Sequence, residues 1–134
     1  MAAGAKVLLI DDDEDFRASV RAPLEGHGYT VLEADSGERG LKMLREHRPD
    51  AVLVDIMMES ASEGYGVTQA IRWQDAYQEF RHLPIILVSS IEASPDERFA
   101  MAGEVDMIRP DIYLTKPLDI PRLLDVLKKV TGAT

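Results

Sequence analysis

The sequence predicts an α/β fold in which a parallel sheet carries helices on both faces. Short runs rich in Val, Ile and Leu alternate along the chain with longer amphipathic stretches. The apolar runs are continuous, which is typical of strands buried on both faces. Five such runs are present, at residues 7–10, 30–34, 51–54, 85–88 and 112–115. A chain that alternates strand and helix five times predicts right-handed crossovers and a parallel sheet.

Between these strands, apolar residues recur at helical spacing. Five helices are predicted, marked by Phe16, Val20 and Leu24; by Leu41 and Leu44; by Val67, Ala70 and Ile71; by Ser94 and Pro95; and by Ile120, Leu123, Leu124 and Leu127. Pro23 is expected to bend the first helix near its end, because proline removes a backbone hydrogen bond. Ser36 is the expected N-cap of the second helix. The third helix is expected to continue through Trp73 towards Phe80.

Length and composition indicate one globular domain. The chain has 134 residues, of which 46% are hydrophobic and 29% are charged. We expect a single domain over residues 1–134 with its core at about 5–130 and no output domain, because no linker or internal repeat is evident. The absence of cysteine excludes disulfides and thiolate metal sites. The formal net charge of −9 argues against direct nucleic-acid binding.

The location and membrane behaviour of the chain are predicted from its apolar runs. None of these runs is long enough to span a bilayer, so no membrane insertion is expected. The first residues lack the apolar core of a signal peptide. A cytoplasmic location is therefore expected.

Chemically active residues follow several of the predicted strands. These are Asp11, Asp12 and Asp13 after the first strand, Asp55 after the third, Ser89 after the fourth and Lys116 after the fifth. Ligands of open α/β sheets bind at this carboxyl edge. Neighbouring carboxylates repel one another, and a hard divalent cation such as Mg²⁺ relieves that repulsion. An aspartate beside such a cation can act as the nucleophile of a phosphoryl transfer, with a lysine and a hydroxyl contacting phosphate oxygens.

Four stretches in this order resemble the receiver domain of two-component response regulators. They are residues 6–13 (KVLLIDDD), 50–58 (DAVLVDIMM), 84–90 (PIILVSS) and 113–117 (YLTKP). The resemblance covers residues 5 to 130, nearly the whole chain. It implies a flavodoxin-like (βα)5 fold with a five-stranded parallel sheet in the order 2-1-3-4-5.

The resemblance also implies a phosphoacceptor and a metal site. Asp55 would accept a phosphoryl group from a sensor histidine kinase or a histidine phosphotransfer protein. Asp12 would ligate Mg²⁺, or Mn²⁺ in its place, and Asp11 would help to hold the metal through water. Asp55 itself and the backbone carbonyl of Met57 would complete the protein ligands. Asp13 matches a position that is often acidic without being a ligand.

A switch is implied as well. Lys116 would contact the phosphoryl group, Ser89 would move to bond it, and the aromatic Tyr113 would turn inward. The Lys116–Pro117 bond resembles a cis peptide of the family. The face formed by the fourth helix, the fifth strand and the fifth helix (the α4-β5-α5 face) would then change shape and signal to an unknown downstream protein.

The sequence departs from the family at several positions. Glu59 replaces a usual proline in a loop, residues 59–63, that is about one residue longer than usual. The segments 73–83 and 103–111 are also longer, and the second is expected to form a partner-specific surface. Gly40 replaces a common alanine in the second helix, at a cost in helix propensity.

Two apolar residues flank the predicted acceptor. The resemblance implies that Met57 and Ile91 occupy positions that border the path of the hydrolytic water, and neither apolar side chain can orient that water. Slow self-dephosphorylation is therefore expected, and a measured half-life of seconds would contradict it.

Other functions remain open at this point. A pseudo-receiver, which only binds partners, would have the same fold with a silent site. A Mg²⁺-dependent aspartyl-phosphate phosphatase would typically carry a second acid two residues after its nucleophile, where this chain has Met57. A nucleotide or flavin binder is disfavoured because no glycine-rich loop follows the first strand. The leading prediction is a stand-alone phospho-accepting signalling domain, which is not an enzyme in the usual sense.

Overall fold

The computed structural model describes residues 5–55, 63–90, 112–116 and 118–131. Its strands are β1 (Lys6–Ile10), β2 (Thr30–Ala34), β3 (Ala51–Asp55), β4 (Ile85–Ser90) and β5 (Ile112–Lys116). All neighbouring pairs are parallel, and the strand order is β2-β1-β3-β4-β5. The predicted flavodoxin-like sheet is confirmed. Each observed strand lies within two residues of its predicted run.

Helices connect these strands. They are α1 (Glu14–Gly26), α2 (Gly37–His47), α3 (Glu63–Trp73), a 3₁₀ helix (Asp75–Phe80) and the C-terminal helix (Ile120–Thr131). None of the helices in the described ranges is long and apolar enough to cross a membrane. Three predicted features lie outside the described residues. They are the helix at Ser94 and Pro95, residues 59–62 of the loop 59–63, and the longer segment 103–111.

Local signals place the first two helices. The Ser36 hydroxyl accepts a hydrogen bond from the Arg39 N–H at 3.2 Å, which confirms the predicted N-cap of α2. Helix α1 continues through Pro23 and ends at Gly26. The chain then turns at Gly28, whose φ of 92° suits glycine because a Cβ would clash there. The chain thus leaves α1 in position to begin β2.

Residues of the central strands alternate between two apolar clusters, as the pleat of a strand requires. Leu8, Ile10, Val52 and Val54 pack with Leu44 of α2, Val67 and Ile71 of α3, and Phe80 of the 3₁₀ helix. We call this side the α2–α3 face. Val7, Leu9, Ala51 and Leu53 pack with Val20 and Leu24 of α1 and Leu123 and Leu127 of the C-terminal helix. We call this side the α1 face.

The expectation that the third helix continues towards Phe80 is wrong. The α-helix ends at Trp73, and Gln74 has an extended backbone with ψ of 136° before the 3₁₀ helix begins. On one continuous α-helix, Phe80 would lie about half a turn away from Ile71, because the intervening residues span about two and a half turns. The break at Gln74 lets both side chains reach the same core, where Phe80 is buried. Burial of a phenyl ring therefore outweighs continuation of the helix.

Candidate functional site

The register of β1 and β3 places two predicted acids side by side. Ile10 is the pairing partner of Val54, so Asp11 and Asp55 are the next residues on two neighbouring parallel strands. Hydrogen bonding of β1 to β2 extends to Asp11, whose N–H donates to the Ala34 carbonyl at 3.0 Å. Both acids also continue the odd-numbered series that faces α1. The topology therefore brings them to one point of the carboxyl edge.

Three carboxylates converge at this point. Asp11, Asp12 and Asp55 each offer an oxygen atom, and these atoms lie within 4.8 Å of one another. Asp11 is fully buried, Asp55 is nearly so, and Asp12 is exposed. Bringing such groups together away from water is unfavourable unless positive charge or hydrogen bonds compensate. The cluster thus has one side open to solvent, where a small ligand could enter.

The donor set fits Mg²⁺ or another hard cation. All three groups offer carboxylate oxygens, which are the ligands that Mg²⁺ and Mn²⁺ prefer, whereas softer metals favour sulfur or imidazole. Mg²⁺ usually takes one or two carboxylates and keeps waters or phosphate oxygens in its remaining positions. The exposure of Asp12 leaves room for such additional ligands. The predicted group of acids is therefore compatible with the predicted metal.

Asp13, the third acid of the run 11–13, has a different role, which the sequence did not indicate. Asp13 is the N-cap of α1, and its carboxylate accepts hydrogen bonds from the Asp15 and Phe16 N–H groups at 2.9 and 3.2 Å. Its own N–H donates to the Asp11 carboxylate at 2.8 Å. The preference of aspartate for N-caps is the signal that could have predicted this. Asp13 consequently fixes the start of the helix that follows the cluster.

Other predicted site residues lie on the neighbouring strands. Asp55 pairs with Val88, so Ser89 is one position further along β4, and Ser89 itself pairs with Thr115. Lys116 is the last residue of β5 and pairs with Ser90, while Tyr113 pairs with Leu87 inside the sheet. The backbone of β4 and β5 thus carries Ser89 and Lys116 to the same edge as Asp55. Met57, Ile91 and Pro117 lie outside the described residues.

Sequence reasoning missed Arg17, which contacts the acidic loop, and Glu33, which binds Arg17. The Arg17 side chain donates from Nη1 to the backbone carbonyl of Asp11 at 2.5 Å and from Nε to the Glu33 carboxylate at 3.0 Å. Two signals could have found them. Arg17 is the first basic residue after the acidic run 11–15, and Glu33 is the one charged residue of the run 30–34.

The fold and this arrangement of acids define a class of signalling domain, and comparisons with known proteins agree. The sequence profile of the response regulator receiver domain matches residues 7–128. The chain belongs to this family, the receiver domains of two-component systems. Membership is consistent with the parallel sheet and with the acids at the carboxyl ends of β1 and β3.

Individual relatives support the same membership. The chain is 33% identical over 129 residues to the polar-differentiation response regulator DivK of Brucella ovis, covering 94% of this chain and 95% of the relative. Its structure resembles that of the chemotaxis protein CheY4 of Vibrio cholerae, with a TM-score of 0.77, 30% identity and coverage of 96% and 99% of the two chains. A CheY-like receiver domain protein of Methanospirillum hungatei has the same fold, with a TM-score of 0.77 at 23% identity and coverage of 96% and 94%.

Proposed function

We propose that this receiver domain is switched by phosphorylation of Asp55, with a sensor histidine kinase or a histidine phosphotransfer protein as the donor. The observation that supports this most strongly is the convergence of Asp11, Asp12 and Asp55, whose ligand atoms lie within 4.8 Å of one another. Asp55 is the member of the cluster that ends a central strand, β3, which lies between β1 and β4, and it pairs with Val88 of β4. A nucleophile fixed in this way loses little freedom on reaching the transition state.

The phosphoryl transfer to Asp55 forms one bond and breaks one bond. A carboxylate oxygen of Asp55 attacks phosphorus in line, and a P–O bond forms as the P–N bond to the donor imidazole breaks. The bonding electron pair leaves with the imidazole nitrogen. A bound Mg²⁺ would supply positive charge that offsets the charge of the phosphoryl oxygens. Asp11, Asp12 and Asp55 would hold it, together with the Met57 carbonyl implied by the family.

We further propose that Lys116 and Ser89 contact the phosphoryl group and that Tyr113 responds to Ser89. The strand positions of Ser89 and Lys116 at the carboxyl edge support this part of the proposal. Phosphorylation adds about −1.5 to −2 charges and strong acceptor oxygens, which a hydroxyl and an ammonium can bond. The resulting change at the face of the fourth helix, β5 and the C-terminal helix would signal to a downstream protein. Pro117 would aim Lys116 through a cis bond. The single-domain organisation and the cytoplasmic location stay predictions.

Incubation with acetyl phosphate and Mg²⁺, followed by intact-mass spectrometry, tests the acceptor. We expect the protein to gain one phosphoryl group, because acetyl phosphate transfers its phosphoryl group to a fixed carboxylate with acetate as the leaving group. Asp55→Asn should abolish the gain, and chelation of Mg²⁺ should suppress it. Asp35→Asn is the matched control, because Asp35 follows β2 and is exposed outside the cluster.

Each outcome has a distinct meaning. A gain that survives in Asp55→Asn would place the acceptor elsewhere. No gain in the unmodified protein would instead favour the silent pseudo-receiver. Rapid turnover of acetyl phosphate beyond one equivalent would favour the phosphatase. The lifetime of the phosphorylated sample tests the proposed effect of Met57 and Ile91, which is slow hydrolysis.

A further inference from the structure

Arg17 connects the acidic cluster to the neighbouring strand. Its Nη1 donates to the carbonyl of Asp11, and its Nε donates to Glu33, which lies on β2 opposite Leu9. The two side chains are largely shielded, with exposed fractions of 14% for Arg17 and 25% for Glu33. A guanidinium is planar and rigid, so hydrogen bonds from two of its nitrogens fix its orientation. Glu33 of β2 therefore sets the orientation of the Arg17 side chain, and Arg17 in turn holds the Asp11 carbonyl.

The segment that carries Asp12 is anchored on both sides by backbone groups. Before it, the Asp11 N–H donates to Ala34 at 3.0 Å and the Asp11 carbonyl accepts from Arg17. After it, the Asp13 N–H donates to the Asp11 carboxylate, and the Arg17 N–H donates to the Asp13 carbonyl at 3.1 Å. Arg17 thus contributes with its backbone on one side of Asp12 and with its side chain on the other.

We infer that Arg17, oriented by Glu33, is a positioning residue that holds the Asp11–Asp12 segment in the geometry required for Mg²⁺. This inference rests on the proposed function. Residues that orient metal ligands typically contribute substantially to metal affinity. Arg17 would do so through the backbone of a ligand-bearing segment and would not touch the metal or the phosphoryl group.

Arg21 offers a comparison within the same helix. Its Nη1 donates to the other oxygen of Glu33 at 2.7 Å, and its Nε contacts Glu25 at 3.1 Å. It is 47% exposed, and its described bonds go to those two glutamates. Arg17 and Arg21 therefore carry the same charge and share Glu33, but only Arg17 is bonded to the Asp11 carbonyl in the described part of the chain.

Calorimetric titration with Mg²⁺ tests the inference. Arg17→Met should weaken Mg²⁺ binding about tenfold, the lower end of what loss of a residue that orients ligands costs. Arg17→Lys should weaken it to a similar extent, because one ammonium cannot reproduce the planar bridge between Asp11 and Glu33. Arg21→Met should leave the affinity unchanged. All titrations are made at a temperature at which circular dichroism shows each variant to be folded.

Glu33→Ala provides an independent route if the Arg17 variants do not fold. It removes the carboxylate that orients Arg17 and should also weaken Mg²⁺ binding. Wild-type affinity in Arg17→Lys would overturn the inference, because charge alone would then suffice. Equal losses in Arg17→Met and Arg21→Met would overturn it as well. If the unmodified protein neither binds Mg²⁺ nor becomes phosphorylated, the proposed function itself fails; if it does both and the Arg17 variants match it, only the positioning role fails.

Discussion

The two faces of the sheet have similar aliphatic cores but differ in where their charged side chains lie. On the α2–α3 face, the ion pair between Arg48 and Glu79 at 2.9 Å is exposed, and the buried polar residue of α3 in the described part of the chain is the uncharged Thr68. On the α1 face, charged groups lie within the fold: Asp11 is buried, and Glu33 is partly buried against Arg17. The α2–α3 face thus serves mainly to pack the sheet, and the α1 face combines packing with a polar network.

Strand alternation explains this division. Asp11, Glu33 and Asp55 all fall on the α1 side because they continue the positions of Leu9, Val31 and Leu53. A change of one residue in register would move these side chains to the other face. The comparison teaches that the site depends on the register of three adjacent strands as well as on its acids. Changes on the α2–α3 face should consequently alter stability, whereas changes near Arg17 should alter metal binding.

The largest expected effect among changes to stability alone concerns Gly40 on the α2–α3 face. A Cβ at this position would lie 2.8 Å from Cγ1 of Ile10, and nearer still to its Cδ1. Overpacking of this kind costs about 1–3 kcal/mol. The better helix propensity of alanine offsets up to about 1 kcal/mol of that cost. Gly40→Ala should therefore lower the free energy of unfolding by up to about 2 kcal/mol in urea denaturation, because the cost of overpacking is at least as large as the propensity gain.

Two further variants make this prediction specific. Gly66 lies inside α3, and a Cβ there meets nothing within 4 Å in the described part of the chain. Gly66→Ala should thus stabilise the protein by about 0.5–1 kcal/mol. Ile10→Val removes the side-chain atom nearest to the new Cβ, so it should cost less in the Gly40→Ala background than in the wild type. Equal costs in both backgrounds would show that Ile10 is not the obstacle.

Gly40 also shows where sequence reasoning stops. Propensity alone makes this glycine a weakness of α2, whereas the structure shows that it allows the helix to approach β1. The continuous apolar runs sufficed to predict all five strands, because burial on both faces leaves a simple pattern. The break at Gln74 was missed because it depends on where Phe80 can be buried, which is a property of the assembled core.

The acids of the site were easier to predict than the residues that hold them in place. Topology requires residues after β1 and β3 to meet, so Asp11, Asp12 and Asp55 could be grouped from the sequence. Arg17 reaches Asp11 by a side chain whose path no periodicity encodes. The grouping of the three acids could thus be predicted from strand order, whereas the hydrogen bonds that hold the Asp11–Asp12 segment could not.

A second prediction compares the N-caps of the helices on the two faces. The Asp13 carboxylate accepts from two N–H groups of α1, whereas Ser36 accepts from one N–H group of α2. Loss of a cap costs about 0.5–2 kcal/mol. Asp13→Ala should therefore lower the free energy of unfolding more than Ser36→Ala, by about 1 kcal/mol against about 0.5 kcal/mol. Urea denaturation of both variants measures this difference.

Asp13→Asn separates the cap from the charge. Asparagine caps helices about as well as aspartate, so this variant should keep nearly all of the stability. Removal of a negative charge beside Asp11 and Asp12 also relieves repulsion between like charges. A loss as large as that of Asp13→Ala would show that the carboxylate acts through its charge.

The smallest expected effect concerns Tyr29, which lies buried in the core of the α1 face. Burial raises the pKa of its phenol above the ordinary value of 10.0, and a contact with the Thr131 hydroxyl offsets a part of that rise. In the pH range between the unfolded and the raised folded pKa, the native state binds more protons than the unfolded chain. The contribution of Tyr29 to the free energy of unfolding is therefore fully present below about pH 10, and it is lost as the pH rises through the pKa that Tyr29 has in the folded state.

Tyr29→Phe removes this titration while keeping the ring. Urea denaturation of the wild type and the variant should give similar stabilities at pH 8, because the phenol is neutral there in both states. Above about pH 10, the wild type should lose stability more steeply than the variant, since only the wild type must keep a phenol protonated in the core. Parallel losses in the two proteins would mean that Tyr29 ionises as readily in the fold as in the unfolded chain. The polar character of the α1 face would then be confined to its edge, around Asp11, Arg17 and Glu33.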